Sequence, residues 1–148
     1  MCKSVERLRF EGGLVGDNSS SNNLFIDSIT DLRLPLNMWI KKTKKSLLVF
    51  NTPAFWDCHG WKLGEYLALG KAIISTPLSN DLPAPLVHGV HIHIIPDASK
   101  DSIKDAISYI IQHPEYRKTL EKNARLYWEK YGTPEKSLFL LGLHNDIQ

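Results

Sequence analysis

The chain has 148 residues, 43% of them hydrophobic and 23% charged, with a formal net charge of +2. A length of this order suits one domain that buries roughly two-thirds of its unfolded surface; the composition excludes disordered and collagen-like classes, and the charge is too small to argue for nucleic acid. Two cysteines, Cys2 and Cys58, cannot make a disulfide framework, so a reducing compartment is expected, and no apolar run approaches the roughly 18 residues of a transmembrane helix.

Met1–Arg7 lacks the apolar segment of a signal peptide, so none is expected. No repeat with a period of about 20 to 50 residues is visible. Phe10–Gly16 has short, weak strand character, and Asp17–Asn23 is a polar loop. Leu34–Lys45 is predicted helical, with Pro35 in its first turn and Leu36, Trp39 and Ile40 at three-and-four spacing. Ser46–Phe50 is a continuous apolar run before Asn51-Thr52-Pro53, which predicts a strand buried on both faces of a parallel sheet. Asp57–Gly60 is a loop, and Trp61–Leu69 a helix with Leu63, Tyr66, Leu67 and Gly70 on one face and Gly70 as its stop. Lys71–Thr76 is a second buried strand, Pro77–Pro85 a proline-rich loop, and His91–Ile95 a third strand closed by Pro96-Asp97.

Two amphipathic helices follow. Ile103, Ala106, Ile107, Ile110 and Ile111 stripe the first; His113-Pro114 separates them; Leu120, Ala124, Tyr127 and Tyr131 stripe the second, which Gly132 ends. Thr133-Pro134 opens a last helix in which Leu138, Phe139, Leu140, Leu141 and Leu143 are apolar nearly all round, so burial on more than one side is expected. This order predicts an α/β fold: a Rossmann-like, mainly parallel sheet flanked by helices in a single domain over residues 1–148. Ligands in such sheets bind beyond the carboxyl ends of the strands, here Asn51–Gly60, Thr76–Pro83 and Pro96–Ser99.

The first of these ends carries the most chemistry. Gly60 stands at a helix start, where free backbone N–H groups favour a phosphate and a missing side chain permits close approach. Lys62 supplies a cation. Glu65, one turn past Trp61, suits sugar hydroxyls rather than phosphate, and with Asp57 it could grip the two sugar rings that flank a diphosphate.

Asp57-Cys58-His59-Gly60-Trp61-Lys62-Leu63-Gly64-Glu65-Tyr66-Leu67-Ala68-Leu69-Gly70-Lys71-Ala72-Ile73-Ile74-Ser75 resembles the signature of group-1 glycosyltransferases of the GT-B fold. The shared features are an acidic residue, a glycine three positions on, a glutamate eight positions on, then Gly-Lys and a β-branched strand. Asp81-Leu82-Pro83, Val87-His88-Gly89, the Pro96-Asp97 strand end, Pro114-Glu115-Tyr116-Arg117 and Asn123-Ala124-Arg125 follow in family order, so the resemblance covers residues 46–142. It implies the donor-binding, C-terminal half of a retaining enzyme that moves a sugar from a nucleotide-diphosphate sugar to a glycan or lipid-linked acceptor. Glu65 would hold the ribose hydroxyls, Asp57 the transferred sugar, and the amides from Gly60 through Trp61 to Lys62 the diphosphate, with His59 facing the cleft. No metal is implied. Asp57 departs from the family's glutamate and is one methylene shorter. Gly64, where the family has a larger apolar residue, costs about 1 kcal/mol in a helix interior, and close packing is the expected reason.

The family's opening strand and basic pair are not recognisable before Phe10, so residues 1–45 read as an incomplete start of the domain, with the acceptor-binding N-terminal domain missing. A catalytically inactive nucleotide-binding or interaction module is the alternative. Cys58, His59, His88, His91 and His93 match no strong zinc pattern, although His91 and His93 are expected to share a strand face, and no base is placed to make Cys58 a nucleophile. Lys41-Lys42-Thr43-Lys44-Lys45 reads first as a solvated helix end, and second as a surface for anionic lipid or nucleic acid. The expected location is cytoplasmic, with peripheral contact at the inner membrane face.

Overall fold

A computed structural model of the chain describes residues 9–12, 34–140 and 142. The chain divides into two compact units, Met1–Lys42 and Thr43–Gln148. In the first, residues 9–12 carry no regular secondary structure; the rest of the strand predicted over Phe10–Gly16, and the loop at Asp17–Asn23, lie outside the described residues. Glu11 pairs with Arg9 at 2.9 Å and with Lys42 at 2.7 Å. The hydrogen bond from Lys42, then the charges of Lys42 and Arg9, hold its carboxyl below the ordinary value. Helix α1 (Leu36–Lys45) starts two residues later than expected, so Pro35 stands just before its first residue, the Pro35 carbonyl accepting from the Trp39 N–H at 2.9 Å.

The second unit is built on a three-stranded parallel sheet in the order β1 (Leu48–Asn51), β2 (Ala72–Ser75), β3 (His93–Ile94). Leu48 pairs with Ala72 and Asn51 with Ser75; Ile74 pairs with His93 and Ser75 with Ile94. The mixed, parallel α/β architecture is therefore as the sequence predicts. Two details differ. Only β2 is buried along its whole length; in β1, Leu48, Val49 and Phe50 are half-buried, because among the described strands β1 is an edge. And β3 is two residues, not five. The chain before it folds on itself: the Gly89 N–H donates to the Ile92 carbonyl, and the Val90 and His91 N–H groups to that of Val87. Those groups are spent locally, so His91 sits in a turn and does not share a strand face with His93.

Helix α2 (Trp61–Ala68) buries Leu63, Tyr66 and Leu67, and its chain reverses at Gly70, whose φ of +60° suits glycine. Helix α3 (Lys100–Gln112) is capped by Ser99, whose hydroxyl accepts from the Ser102 N–H at 3.2 Å. Bonds from Ser99 and Ser102 hold the Asp97 carboxyl below its ordinary value. Ile103, Ala106, Ile107 and Ile110 are buried as expected, but Ile111, one position round the helix, is exposed. Pro114 stands at the first position of α4 (Pro114–Tyr127), which buries Leu120, Ala124 and Tyr127 and packs on β2, α2 and α3. Tyr131 is only half-buried, its ring 5.0 Å from that of Tyr127.

The end of α4 does something the periodicity does not announce. Trp128–Gly132 form a π turn, the wide turn that appears where a helix accommodates an extra residue. The Trp128 indole lies over Gly64: a Cβ there would stand 3.4 Å from Cζ3. Close packing at Gly64 is thus real, yet a methyl group fits. Gly64→Ala should leave stability unchanged or raise it by about 1 kcal/mol, the helix-propensity gain; a urea midpoint lowered by the equivalent of more than about 1 kcal/mol would contradict this.

Helix α5 (Pro134–Leu140) follows, with the Thr133 carbonyl accepting from Ser137. The expectation that it is buried on several sides is wrong among the described residues: none of its side chains is buried, and Phe139 is 60% exposed. Its seven residues make barely two turns, too short to lay an apolar surface on the core. Leu141 and Leu143 lie outside the described residues. Among the described residues no helix is long and apolar enough to cross a membrane.

Candidate functional site

Of the residues singled out for donor binding, Asp57, His59 and Gly60 lie in the connection from β1 to α2, and Trp61, Lys62 and Glu65 on the first two turns of α2. Beyond Asn51 the chain forms a 3₁₀ turn, Phe55–Asp57, in which Trp56 and Asp57 both adopt left-handed backbone, with φ of 58° and 56°. Aspartate tolerates that region; a bulky residue such as tryptophan does so at a cost of about 1–2 kcal/mol. The turn closes with the Ala54 N–H on the Cys58 carbonyl at 2.8 Å.

A second loop, after β2, braces the first. The Ser79 hydroxyl donates to the Asp57 carbonyl at 2.8 Å, and Nε2 of His59 lies 2.9 Å from the Asn80 carbonyl. A carbonyl only accepts, so the His59 ring donates from Nε2. His59 therefore serves to tie two loops together. The sequence treated 77–85 simply as a proline-rich loop; Ser79 and Asn80, two small polar residues in its middle, are the positions it missed.

Gly60 is the N-cap of α2, with extended backbone and no side-chain cap. Its carbonyl accepts from Leu63 at 3.0 Å, while the amides of Trp61 and Lys62 have no acceptor within the helix, as at any helix start. The fold does not itself call for glycine here. The φ of −72° is ordinary, and an added Cβ would meet nothing closer than Ala54 Cβ at 3.8 Å. The missing side chain keeps the space above these amides clear.

Around this start, Asp57, Trp61 and Lys62 are exposed and Glu65 is half-buried. Trp61 is 91% exposed and Trp56 82%. Among the described residues the carboxylates of Asp57 and Glu65 and the ammonium of Lys62 have no side-chain hydrogen bond or ion pair. The Glu65 charge is nonetheless felt: burial, then Glu65, pushes the Tyr66 hydroxyl above its ordinary value. Asp57 and Glu65 thus stand on either side of one helix start, on a turn and a second helical turn respectively.

Beneath the site lies a polar layer that the apolar run before it hid. Asn51 donates from Nδ2 to the Ser75 hydroxyl at 2.9 Å, and that hydroxyl donates to the Thr76 carbonyl at 2.8 Å. Among the described residues, Asn51 Oδ1 and Thr76 Oγ1 are buried without a partner. Unpaired buried oxygens cost about 1–3 kcal/mol each, and these stand at the carboxyl ends of β1 and β2, the ligand edge of a parallel sheet.

The Gly70-Lys71 pair serves packing. A Cβ at Gly70 would press on the Glu121 carbonyl and Arg125 Cβ, each at 3.2 Å, and the Arg125 guanidinium donates to the Ala68 carbonyl at the end of α2. Lys71 is buried, with Nζ donating to the Lys44 carbonyl at 3.3 Å. Burial pushes its ammonium below the ordinary value, Glu121 opposing and Arg117 adding to the shift.

Among the described residues no three His, Cys, Asp or Glu side chains are grouped to hold a metal ion. Cys58 is an exposed free thiol. No protein-family model matches the chain, and no curated protein matches it.

Proposed function

We propose that this chain is the donor-binding part of a retaining GT-B glycosyltransferase that takes its sugar from a nucleotide-diphosphate sugar. The observation that carries the reading is the α2 start: a glycine the fold does not require, two amides with no acceptor within the helix, and flanking carboxylates with no side-chain hydrogen bond or ion pair among the described residues. A diphosphate fits over the amides of Trp61 and Lys62, where the helix dipole and the Lys62 ammonium offset its charge. Glu65 accepts from ribose hydroxyls, and Asp57 from the transferred sugar. As the bond to the sugar breaks, negative charge grows on the departing diphosphate, and the same fixed dipoles stabilise it. The acceptor would be held by a second domain, because transfer needs both substrates in one geometry.

Calorimetric titration with UDP and with GDP tests this. One of the two should bind at millimolar concentration or better, and Glu65→Ala should weaken it about tenfold, the worth of a charged hydrogen bond, without altering the melting temperature by more than a few degrees. Absence of binding at millimolar nucleotide, or affinity unchanged in Glu65→Ala, overturns the proposal.

A further inference from the structure

Two imidazoles hold the segment between Val87 and Ile94 closed, and both act as acceptors. The Val87 N–H donates to Nδ1 of His91 at 3.1 Å, and the Ile94 N–H donates to Nδ1 of His88 at 2.9 Å. A backbone N–H can only donate, so each Nδ1 carries its lone pair and each ring is the neutral Nε2–H tautomer. A proton on Nδ1 would set donor against donor. The segment is also held by backbone bonds of its own, from Gly89 to the Ile92 carbonyl and from Val90 and His91 to that of Val87, by the Asn123 amide on the Val90 carbonyl at 3.0 Å, and by the two residues of β3.

The groups around the rings offer a proton little reward. His91 meets Tyr127 of α4 edge-on, centroids 5.4 Å apart, and shares a hollow of about 280 Å³ with Asn123, Lys130 and Tyr131. Lys130 is a cation and opposes protonation. His88 lies 4.9 Å from the ring of His93. His93 in turn takes the Tyr116 hydroxyl of α4 at 2.9 Å, faces Tyr109 of α3, and lines a second hollow, of about 350 Å³, with Ser102 and Asp105. Asp105 lines the hollow on the His93 side, where Ser102 also donates to the Asp97 carboxylate at 2.8 Å.

We infer that the segment from Val87 to Ile94 is an acid-released clasp: a proton on Nδ1 of His91 breaks the Val87 bond and loosens the segment while β2 and the helices stay folded. Burial, which pushes His91 below its ordinary value, and burial followed by the neighbouring His88, which push His93 below its own, act in the same direction. The sign follows from linkage. The opened segment binds protons more readily than the closed one, so closure is fully favoured above the ordinary histidine pKa of about 6.5 and is lost as pH falls below it. The clasp stands apart from the nucleotide reading and does not depend on it.

Amide hydrogen exchange by NMR, corrected for the intrinsic pH dependence of exchange, provides the test. Protection of the Val87 amide should fall about fivefold between pH 7.5 and 5.5, the loss expected from one ordinary hydrogen bond, while Ile73 and Ile74 in β2 change less than about twofold. In His91→Asn the amide oxygen accepts without titrating, so the pH dependence should vanish. An undiminished pH dependence in that variant, no loss in the native protein, or equal loss in β2 overturns the inference. Imidazole nitrogen shifts of the native protein at pH 7.5 decide it without any variant. Both rings should be Nε2–H tautomers, and an Nδ1–H tautomer on either overturns it.

Discussion

Leu120→Ala should destabilise the second unit by about 2–5 kcal/mol, the range for deleting a fully buried leucine side chain and leaving part of the cavity unfilled. Leu120 has no exposed surface and stands mid-way along α4, the helix that touches β2, α2 and α3. The upper half of the range is expected, because α4 is packed on three elements at once. Phe139→Ala, on the exposed side of α5, removes more atoms but should change stability by less than about 1 kcal/mol. Urea denaturation of the two variants separates the readings. A domain of ordinary stability, about 5–15 kcal/mol, survives the first substitution narrowly. A cost below about 1 kcal/mol for Leu120→Ala would mean that α4 does not anchor the core.

Helices α4 and α5 also show what the sequence could and could not announce. The stripe of α4 was legible because its apolar residues recur at helical spacing and its polar ones fill the other face. The last helix was misread because an all-round apolar composition says what a segment would gain from burial, not whether a surface exists to receive it. For the same reason Ser46–Phe50 predicted the strand but not its half-exposure. A continuous apolar run looks the same on a central strand and on an edge, and only the pairing order distinguishes them. The third strand was overextended because the backbone N–H groups of Gly89, Val90 and His91 are satisfied within a turn, a choice that alternation of His and Ile does not reveal.

At the candidate site the positions were legible and their roles less so. Gly60 at a helix start after an apolar strand is a local pattern, and the structure places it there. His59, by contrast, is engaged by Asn80 from a loop 21 positions away. Such long-range contacts leave no trace in a single sequence. Asn51 had a signal that could have been used, a polar residue closing an otherwise apolar strand. Its buried partnership with Ser75 follows once the parallel register is known, because the two are paired across β1 and β2.

Gly132→Ala should be the more severe of two superficially similar substitutions in the α2–α4 contact. At Gly64 a new methyl group meets Trp128 at 3.4 Å, an ordinary contact. At Gly132 it would stand 2.2 Å from Cε3 of the same indole, with two more ring atoms below 3.0 Å. The indole is rigid, and it is already seated over Gly64, so it cannot swing away without losing that contact or unwinding the π turn. Overpacking of this kind costs about 1–3 kcal/mol, against a gain of under about 1 kcal/mol from the stiffer unfolded chain. The clash has a single source, which makes it testable by a double-mutant cycle. In a Trp128→Leu background, Gly132→Ala should cost less than about 0.5 kcal/mol, a coupling of more than about 1 kcal/mol between the two positions. If the cost of Gly132→Ala is the same in both backgrounds, the indole is not what holds position 132 to glycine, and the π turn must owe its shape to the backbone alone.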